Sequence, residues 1–407
     1  MMDTRHTIPS PSASQAAMSE SNRSHILDYL FRHGVSSRAE IAQVLALTPA
    51  AITKITARLI DAGIIRETGD IEGRKKRRSI GLSLANDTIH VIGVKFARSI
   101  VQIAVFDLAG TQLSLQTLPP VTERTIRTTL DQIRTGIQHL LDEDRHIIAV
   151  GMAVPGPYLR DVGRTAVVSS MEGWRKVNFL HEFAQRFRVP VFVEQDARAG
   201  ALAHYLFDRT NTCEYLAYYL IGEGLGLGVI EHGRLIDGAL GAATEIGHVS
   251  IDVHGRPCEC GNVGCLERYC SAAAIHQEIL TRGLVAGADT MNHEEACLAL
   301  FAAADDGDRK AQELVQEVGR YVGYGCVTIF NMFNPRRIVI GDIVSQAGPR
   351  LLRAVRDVVN ERAIPELNDA TAISLSELST DSAVSGGTAI AITHFLEHPS
   401  TFFDVPS

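Results

Sequence analysis

Cys258, Cys260 and Cys265 fall within eight consecutive positions, and His248 lies ten residues before the first of them. Thiolate and imidazole are donors that Zn²⁺ gathers into a tetrahedron, and three thiolates with one imidazole complete it. Gly255, Pro257, Gly261 and Gly264 let the backbone turn tightly enough for the donors to converge. A complete set leaves no position for a catalytic water. The spacing therefore predicts a structural Zn²⁺ held by His248, Cys258, Cys260 and Cys265. The competing reading is a loop of free or redox-active thiols. With metal, the fold is obliged to bring four side chains to one point, and Glu245 and Glu267 bracket that segment.

At 407 residues the chain has room for two or three cored domains. Its 45% hydrophobic and 21% charged residues are ordinary for a soluble protein. No stretch approaches the ~18 to 20 uninterrupted apolar residues of a membrane span, so no membrane insertion is expected. The first twenty residues carry no apolar run of the kind a secretory signal needs, and the seven cysteines form no evenly spaced disulfide set. A cytoplasmic location is expected. Charge is divided unevenly. Residues 19–80 hold 11 Lys and Arg against 7 Asp and Glu, a net +4, whereas residues 81–407 hold 27 against 39, a net −12. A small basic head on an acidic body predicts that the head meets a polyanion and the body does not.

Residues 1–18 read as a disordered polar tail. Ile26, Leu27, Leu30 and Phe31 then form a stripe at helix spacing that Gly34 ends. Ser37 is placed to cap a second helix, with Glu40 at the capping-box position, and Thr48 to cap a third with Pro49 at its first position. This is the helix-turn-helix order. Ile52, Ile55 and Leu59 define its buried face. Thr48, Ala50, Ala51, Thr53 and Lys54 then lie where a recognition helix reaches base edges, and Lys54 and Arg58 where phosphates pass. A turn over Gly69 to Gly73 leads into Arg74, Lys75, Lys76, Arg77 and Arg78, five cations at the tip of a β-ribbon wing. Alone, such a run is equally a solvated loop or a localisation signal. Attached to a helix-turn-helix, it predicts contact with double-stranded DNA.

Residues 85–194 alternate strands and helices, with strands at Val91–Phe96, Ile100–Phe106, Ile147–Val154 and Val191–Glu194. A second α/β unit follows from Gln195, with a long helix at Arg309–Phe333 and a last helix at Ala383–Phe395 that could pack back on the first unit. Two lobes with a cleft between them are expected: residues 85–194 plus 383–397 as the small lobe, and 195–382 as the large lobe, carrying the zinc site and an oligomerisation surface.

Taken together, residues 20–397 resemble the ROK family of sugar kinases and sugar-responsive repressors. The segment from Glu245-Ile-Gly-His248 to Cys258-Glu-Cys-Gly-Asn-Val-Gly-Cys265-Leu-Glu267 is the most specific part of the likeness. The N-terminal winged helix-turn-helix over residues 19–84 matches the repressor branch. The resemblance implies an actin-like α/β body around a sugar cleft, with Gly156, Glu194, Gln195, Asp196, Glu245, His248 and Glu267 as the sugar contacts. Asp196 corresponds to the kinase general base. One nitrogen of His248 would hold the metal and the other meet the ligand. A metal site that only stabilises the fold is the plainer alternative.

Phosphoryl transfer needs a phosphate cradle and a carboxylate for Mg²⁺. Where the family's kinases read approximately Ile-Asp-Ile-Gly-Gly-Thr, this chain has Val94-Lys95-Phe96-Ala97-Arg98-Ser99. Glu223 stands where threonine is usual in the second phosphate loop, and Asp342 where the adenosine loop has glycine. These departures imply a non-enzyme, released from a pseudo-palindromic operator by a sugar or sugar phosphate and acting as a homodimer or tetramer. The alternatives are a sugar kinase with an accessory DNA-binding head, and a repressor released by a transporter protein. Gln195, Arg198 and Ser170 each replace or stand in for an asparagine of the family pattern, leaving the sugar open. Arg198 would either meet an anionic group on the ligand or sit in a salt bridge.

Overall fold

The computed structural model describes residues 11–72, 78–97, 100–166, 172–208, 213–378 and 382–403. Arg74, Lys75, Lys76 and Arg77 lie outside them, as do Arg98, Ser99 and Ser170, so the readings placed on those residues are not addressed by the structure.

Helix α1 spans Pro11–His33, so the expected disordered tail is helical from Pro11 onward. Proline suits a first helical position, and the Ala, Gln and Met content of residues 13–18 favours helix. The Glu20 carboxylate also accepts from the Ser400 backbone N–H at 3.0 Å, tying this helix to the C-terminal segment. After β1 (Ser36–Ser37), Ser37 and Glu40 form the capping box of α2 (Arg38–Val44), and Thr48 caps α3 (Pro49–Asp61). Ile52, Thr56 and Leu59 make the buried face of α3, with Ile55 only partly buried. Strands β2 (Ile65–Glu72) and β3 (Arg78–Leu84) complete a three-stranded sheet in the order β1-β3-β2. Gly69, expected in a turn, instead sits at φ +89° within a register shift between Glu67 and Asp70. It bulges the strand rather than ending it.

The body contains two sheets of the same topology. In the first, β4 (His90–Phe96), β5 (Val101–Asp107) and β6 (Gln112–Thr117) form an antiparallel meander. Helix α4 (Ile126–Glu143) crosses to β7 (Ile147–Val154), parallel to β4. A small hairpin, β8 (Tyr158–Leu159) with β9 (Arg164–Thr165), and the short helices α5 (Glu172–Arg175) and α6 (Phe179–Phe183) precede β10 (Val191–Gln195), parallel to β7. Helix α7 (Asp196–Phe207) leads to the second meander, β11 (Leu216–Ile221), β12 (Leu225–Glu231) and β13 (Arg234–Leu235). The metal segment, then α8 (Glu267–Cys270), α9 (Ala272–Arg282), α10 (His293–Asp305) and α11 (Arg309–Phe333), separate it from β14 (Arg337–Gly341), parallel to β11. Helix α12 (Gly348–Arg362), the short α13 (Pro365–Ala370) and β15 (Ala372–Leu375) finish that sheet, and α14 (Ser382–Glu397) follows. Helix α12 was not anticipated, although Leu351, Ala354, Val355, Val358 and Val359 repeat at helix spacing behind Pro349.

Helices α14 and α7 fill the space between the sheets. A Cβ on Gly151 of β7 would lie 1.8 Å from the Gly387 carbonyl of α14, and one on Gly386 would lie 2.8 Å from Ala199 of α7. Backbones approach this closely only where side chains are missing. Among the described residues the head has no separate core. Ile26, Leu27, Leu30, Ile52, Leu59 and Leu82 share one buried cluster with Phe106, Ile392, Phe395 and Leu396 of the small lobe.

Candidate functional site

The four expected metal ligands converge. His248 Nδ1 lies 3.8 Å from Cys258 Sγ, Cys260 Sγ lies 3.7 Å from Cys265 Sγ, and all four donor atoms lie within 4.8 Å of one another. Zn–S bonds of about 2.3 Å place tetrahedral donors roughly 3.7 Å apart, so the set fits one ion. The loop is shaped by backbone bonds from Cys258 N–H to Asn262 O at 2.9 Å and from Gly261 N–H to Cys258 O at 3.0 Å. Gly264 adopts φ +73°, and a Cβ there would lie 1.7 Å from the Asp252 carbonyl, so that position requires glycine. These residues could bind a metal. Nδ1 of His248 faces the thiolates, leaving Nε2 for another partner.

Beside the metal segment lie the residues expected to line the cleft. Gln195 Nε2 donates to Glu245 Oε1 at 3.1 Å, and Glu267 Oε2 accepts from the Leu225 N–H at 2.9 Å. Gln195 is buried, and its Oε1 has no partner among the described residues. Burial, then the charges of Asp196 and Glu267, push the Glu245 carboxyl up to about 8. These carboxyl groups therefore sense one another. Gly156 packs on the Gln195 side chain, where a Cβ would lie 2.2 Å from Nε2. Gly156, Gln195, Asp196, Glu245 and Glu267 are thus brought together, with His248 linking them to the metal set.

Glu194 is different. Its Oε2 accepts from Arg160 Nη2 at 2.6 Å, and its Oε1 accepts from Arg198 Nε at 2.9 Å and from the Gln195 N–H at 2.8 Å. Both oxygens are occupied, so Glu194 braces the start of α7 rather than offering a free acceptor to a polyol. Arg198 is fully buried, bonded also to Asp237 and the Ile236 carbonyl, so of its two readings the salt bridge holds. Arg160 reaches Asp237 too, at 2.9 Å, joining the β8–β9 hairpin to the large lobe. Burial works to raise the Asp237 carboxyl, but Arg160 and Arg198 hold it below the usual range. Neither Arg160 nor Asp237 carries a sequence signal; their role is visible only when the lobes are assembled.

On the phosphate side, Asp342 adopts φ +69° and ψ −162°, a region that only glycine enters readily. Its Oδ2 lies 2.8 Å from where a Gly222 Cβ would sit, so a carboxylate stands against the glycine loop that begins at Gly222.

In the head, Thr48, Ala50, Thr53 and Lys54 are exposed on α3, while Ala51 and Arg58 are partly so. Two hydroxyls are already engaged. Thr48 Oγ1 accepts from the Ala51 N–H at 3.2 Å, and Thr53 Oγ1 donates to the Pro49 carbonyl at 2.7 Å. Thr53 therefore presents a methyl and an acceptor, whereas Lys54 keeps its charge outward. Arg78 opens strand β3.

Fold and site together define a winged-helix protein built on a two-lobed, sugar-kinase-like body. The chain belongs to the ROK family, whose model matches residues 91–394; a winged helix-turn-helix DNA-binding model matches residues 20–66. It is 32% identical over 371 residues to the DNA-binding transcriptional dual regulator NagC of Escherichia coli K12, covering 89% of this chain and 90% of that one. The xylose repressor of Bacillus spizizenii is 27% identical, with 95% and 98% covered. Among solved structures, a ROK family transcriptional regulator, a homolog of the Escherichia coli MLC protein, superimposes with TM-score 0.78 at 27% identity over 95% of this chain and 99% of that one. A ROK glucokinase from Streptomyces griseus shares the body fold, with TM-score 0.63 at 24% identity, covering 73% and 97%. No helix among the described residues is long and apolar enough to cross a membrane.

Proposed function

We propose that this chain is a transcriptional repressor of carbohydrate-utilisation genes that leaves its operator when a sugar or sugar phosphate occupies the cleft. One observation carries the reading: the sugar-side groups Gln195, Glu245 and Glu267 are assembled, while the Asp342 carboxylate stands against the phosphate loop. A fixed carboxylate there opposes the charge of a nucleotide's phosphates. The relative named a xylose repressor supports a sugar as effector. Gln195 Oε1, without a partner among the described residues, is an acceptor that a ligand hydroxyl would satisfy. Asp196 and Glu267 would accept further hydroxyls, and Gly156 would let a ring approach the backbone.

The metal in this reading is Zn²⁺. Held by His248, Cys258, Cys260 and Cys265, it would order the segment carrying Glu245 and Glu267, and its chemistry is structural. Thr48, Ala50, Ala51, Thr53 and Lys54 would face base edges, with Arg58 and the Arg74–Arg78 run on phosphates. A homodimer or tetramer would present two heads to half-sites about one or more helical turns apart, roughly 10 bp per turn. The effector must bind the released state more tightly, and a coupling of ~1–3 kcal/mol changes DNA affinity about 5- to 150-fold.

The test is selection of bound fragments from genomic DNA by the full chain, followed by release assays with a panel of hexoses, pentoses, amino sugars and their phosphates. Release by one class supports the proposal. Turnover of any hexose with ATP and Mg²⁺ would sink the non-enzyme reading. Release only by a membrane transporter fraction would replace the sugar with a protein effector.

A further inference from the structure

We propose that the hydrogen bond between Arg32 of the head and Tyr205 of α7 is the contact through which cleft occupancy sets the position of the DNA-binding head. The inference rests on the repressor reading above and assigns its route.

Helix α7 has one end in each place. Gln195 is its N-cap and Asp196 its first residue, both at the cleft. Tyr205 lies near its other end, about 14 Å away at 1.5 Å per residue. Between them the helix is almost wholly enclosed, with Ala197 to Tyr205 all buried. Its backbone packs directly on α14 through Gly386 and Ala199. A helix so enclosed moves as a rod, because dense packing transmits displacement instead of absorbing it.

At the far end three parts of the molecule meet one phenol. Arg32 Nη2, from α1 of the head, donates to the Tyr205 hydroxyl at 2.7 Å, and the guanidinium lies 4.7 Å from the ring centroid. Asp28, one turn earlier on α1, accepts from Arg32 Nε at 2.9 Å and aims that guanidinium. From the large lobe, the turn between β12 and β13 closes on the same oxygen. Gly233, at φ +75°, would place a Cβ 2.5 Å from the Tyr205 hydroxyl. The hydroxyl is therefore positioned by α7 and the large lobe together, and read by the head.

The other contacts of α1 with the body lie elsewhere. Ile26, Leu27 and Leu30 meet α14 through apolar packing, which is non-directional and tolerates sliding, and Glu20 and Arg23 hydrogen-bond Ser400 of the C-terminal segment, bonds that are not made to α7. A hydrogen bond weakens steeply with angle and distance, and one from a guanidinium is among the stronger ones. Small displacements of α7 are thus felt at Arg32–Tyr205 before they are felt by the apolar contact. Arg32 and Tyr205 are positioning residues; neither touches ligand or DNA in this arrangement.

Hydrogen exchange of the α1 amides in the full chain tests the route without needing the natural effector. Asp196→Asn perturbs the cleft end of α7, and D-glucose, N-acetylglucosamine and D-xylose serve as probes of occupancy. The expected result is that Asp196→Asn changes α1 exchange by about threefold or more in an otherwise native chain and by less than about 1.5-fold when combined with Tyr205→Phe. Arg32→Gln should uncouple α1 in the same way, and unchanged exchange in β4 and β11 shows that the variants remain folded. An equal response with and without Tyr205→Phe, or no response in the native background, overturns the proposal. Any of these sugars that binds should change α1 exchange in the native chain and leave it unchanged in Tyr205→Phe, and by reciprocity its affinity should differ between the two chains. Failure to select any DNA would refute the repressor reading alone and leaves the exchange readout intact.

Discussion

Replacing Arg198 by alanine should be among the costliest single changes in the body. Arg198 is fully buried and contributes two bonds to Glu194, at 2.9 and 3.3 Å, with further bonds to Asp237 and the Ile236 carbonyl. Breaking a buried ion pair from one side typically costs 3–5 kcal/mol, because a charge is left uncompensated. Here Glu194 would keep Arg160 at 2.6 Å and the Gln195 N–H at 2.8 Å, so the lower end applies. The expected loss is about 3 kcal/mol, or a drop in Tm of roughly 3–4 °C for a chain of this length. Urea and thermal unfolding can be followed by the chain's one tryptophan, Trp174, which is fully buried in the small lobe. Combining Arg198→Met with Glu194→Gln removes both charges and should recover most of that loss, since a buried pair has little net value over an apolar substitute. A cost below about 1 kcal/mol for Arg198→Ala, or a double variant no more stable than the single, refutes the reasoning. Because Glu194 also holds the Gln195 N–H, sugar affinity should fall in Arg198→Ala even under strongly native conditions.

Cys258→Ser should lose stoichiometric metal and weaken sugar binding while Trp174 fluorescence stays native; retention of metal by elemental analysis would remove the Zn²⁺ proposal. Asp342→Gly should raise stability by about 1 kcal/mol, the relief of a strained backbone less the bond its Oδ1 accepts from the Ile343 N–H at 2.7 Å. A destabilised variant in denaturant melts would show that the conformation carries no strain. Burial holds the His204 and His394 imidazoles down to about 4. The unfolded imidazole titrates near 6.5, so the unfolded chain binds more protons between about pH 6.5 and 4. Stability is therefore intact above that window and lost as pH falls through it, by at most about 3 kcal/mol per histidine. His204→Gln should flatten the decline in a pH series of urea midpoints, and an unchanged slope contradicts the assignment.

What the sequence made legible were features with a local cause. The capping box at Ser37 and Glu40, the Thr48 cap and the Arg309–Phe333 helix depend on neighbours within a turn. The metal set was equally readable, because three of its ligands lie in one short loop. Helix α12 also has a readable period in Leu351, Ala354, Val355, Val358 and Val359. Other features had no local trace. Glu194 looked like a ligand contact because its motif is shared, yet its oxygens are claimed by Arg160 and Arg198, one from a hairpin more than thirty residues away. The head was read as a separate domain from its charge and its turn signals. Its union with the small lobe appears only when Ile26 and Leu30 are seen in one core with Phe395.

That union bears on how a kinase-like body can become a regulator. Two sheets of the same topology have α7 and α14 packed between them, an arrangement in which closure around a sugar would serve phosphoryl transfer were a nucleotide to lie opposite. Asp342 against Gly222 opposes that use and leaves the carboxyl-lined side untouched. Under the proposed repressor reading, movement of the lobes on ligand binding would have no chemistry to complete. Because α14 shares a core with α1, and Tyr205 of α7 holds Arg32, such movement would either carry the head with it or break a charge-assisted hydrogen bond. In the proposed homodimer or tetramer either outcome would change the spacing between paired heads, and that spacing is the property a two-site operator measures.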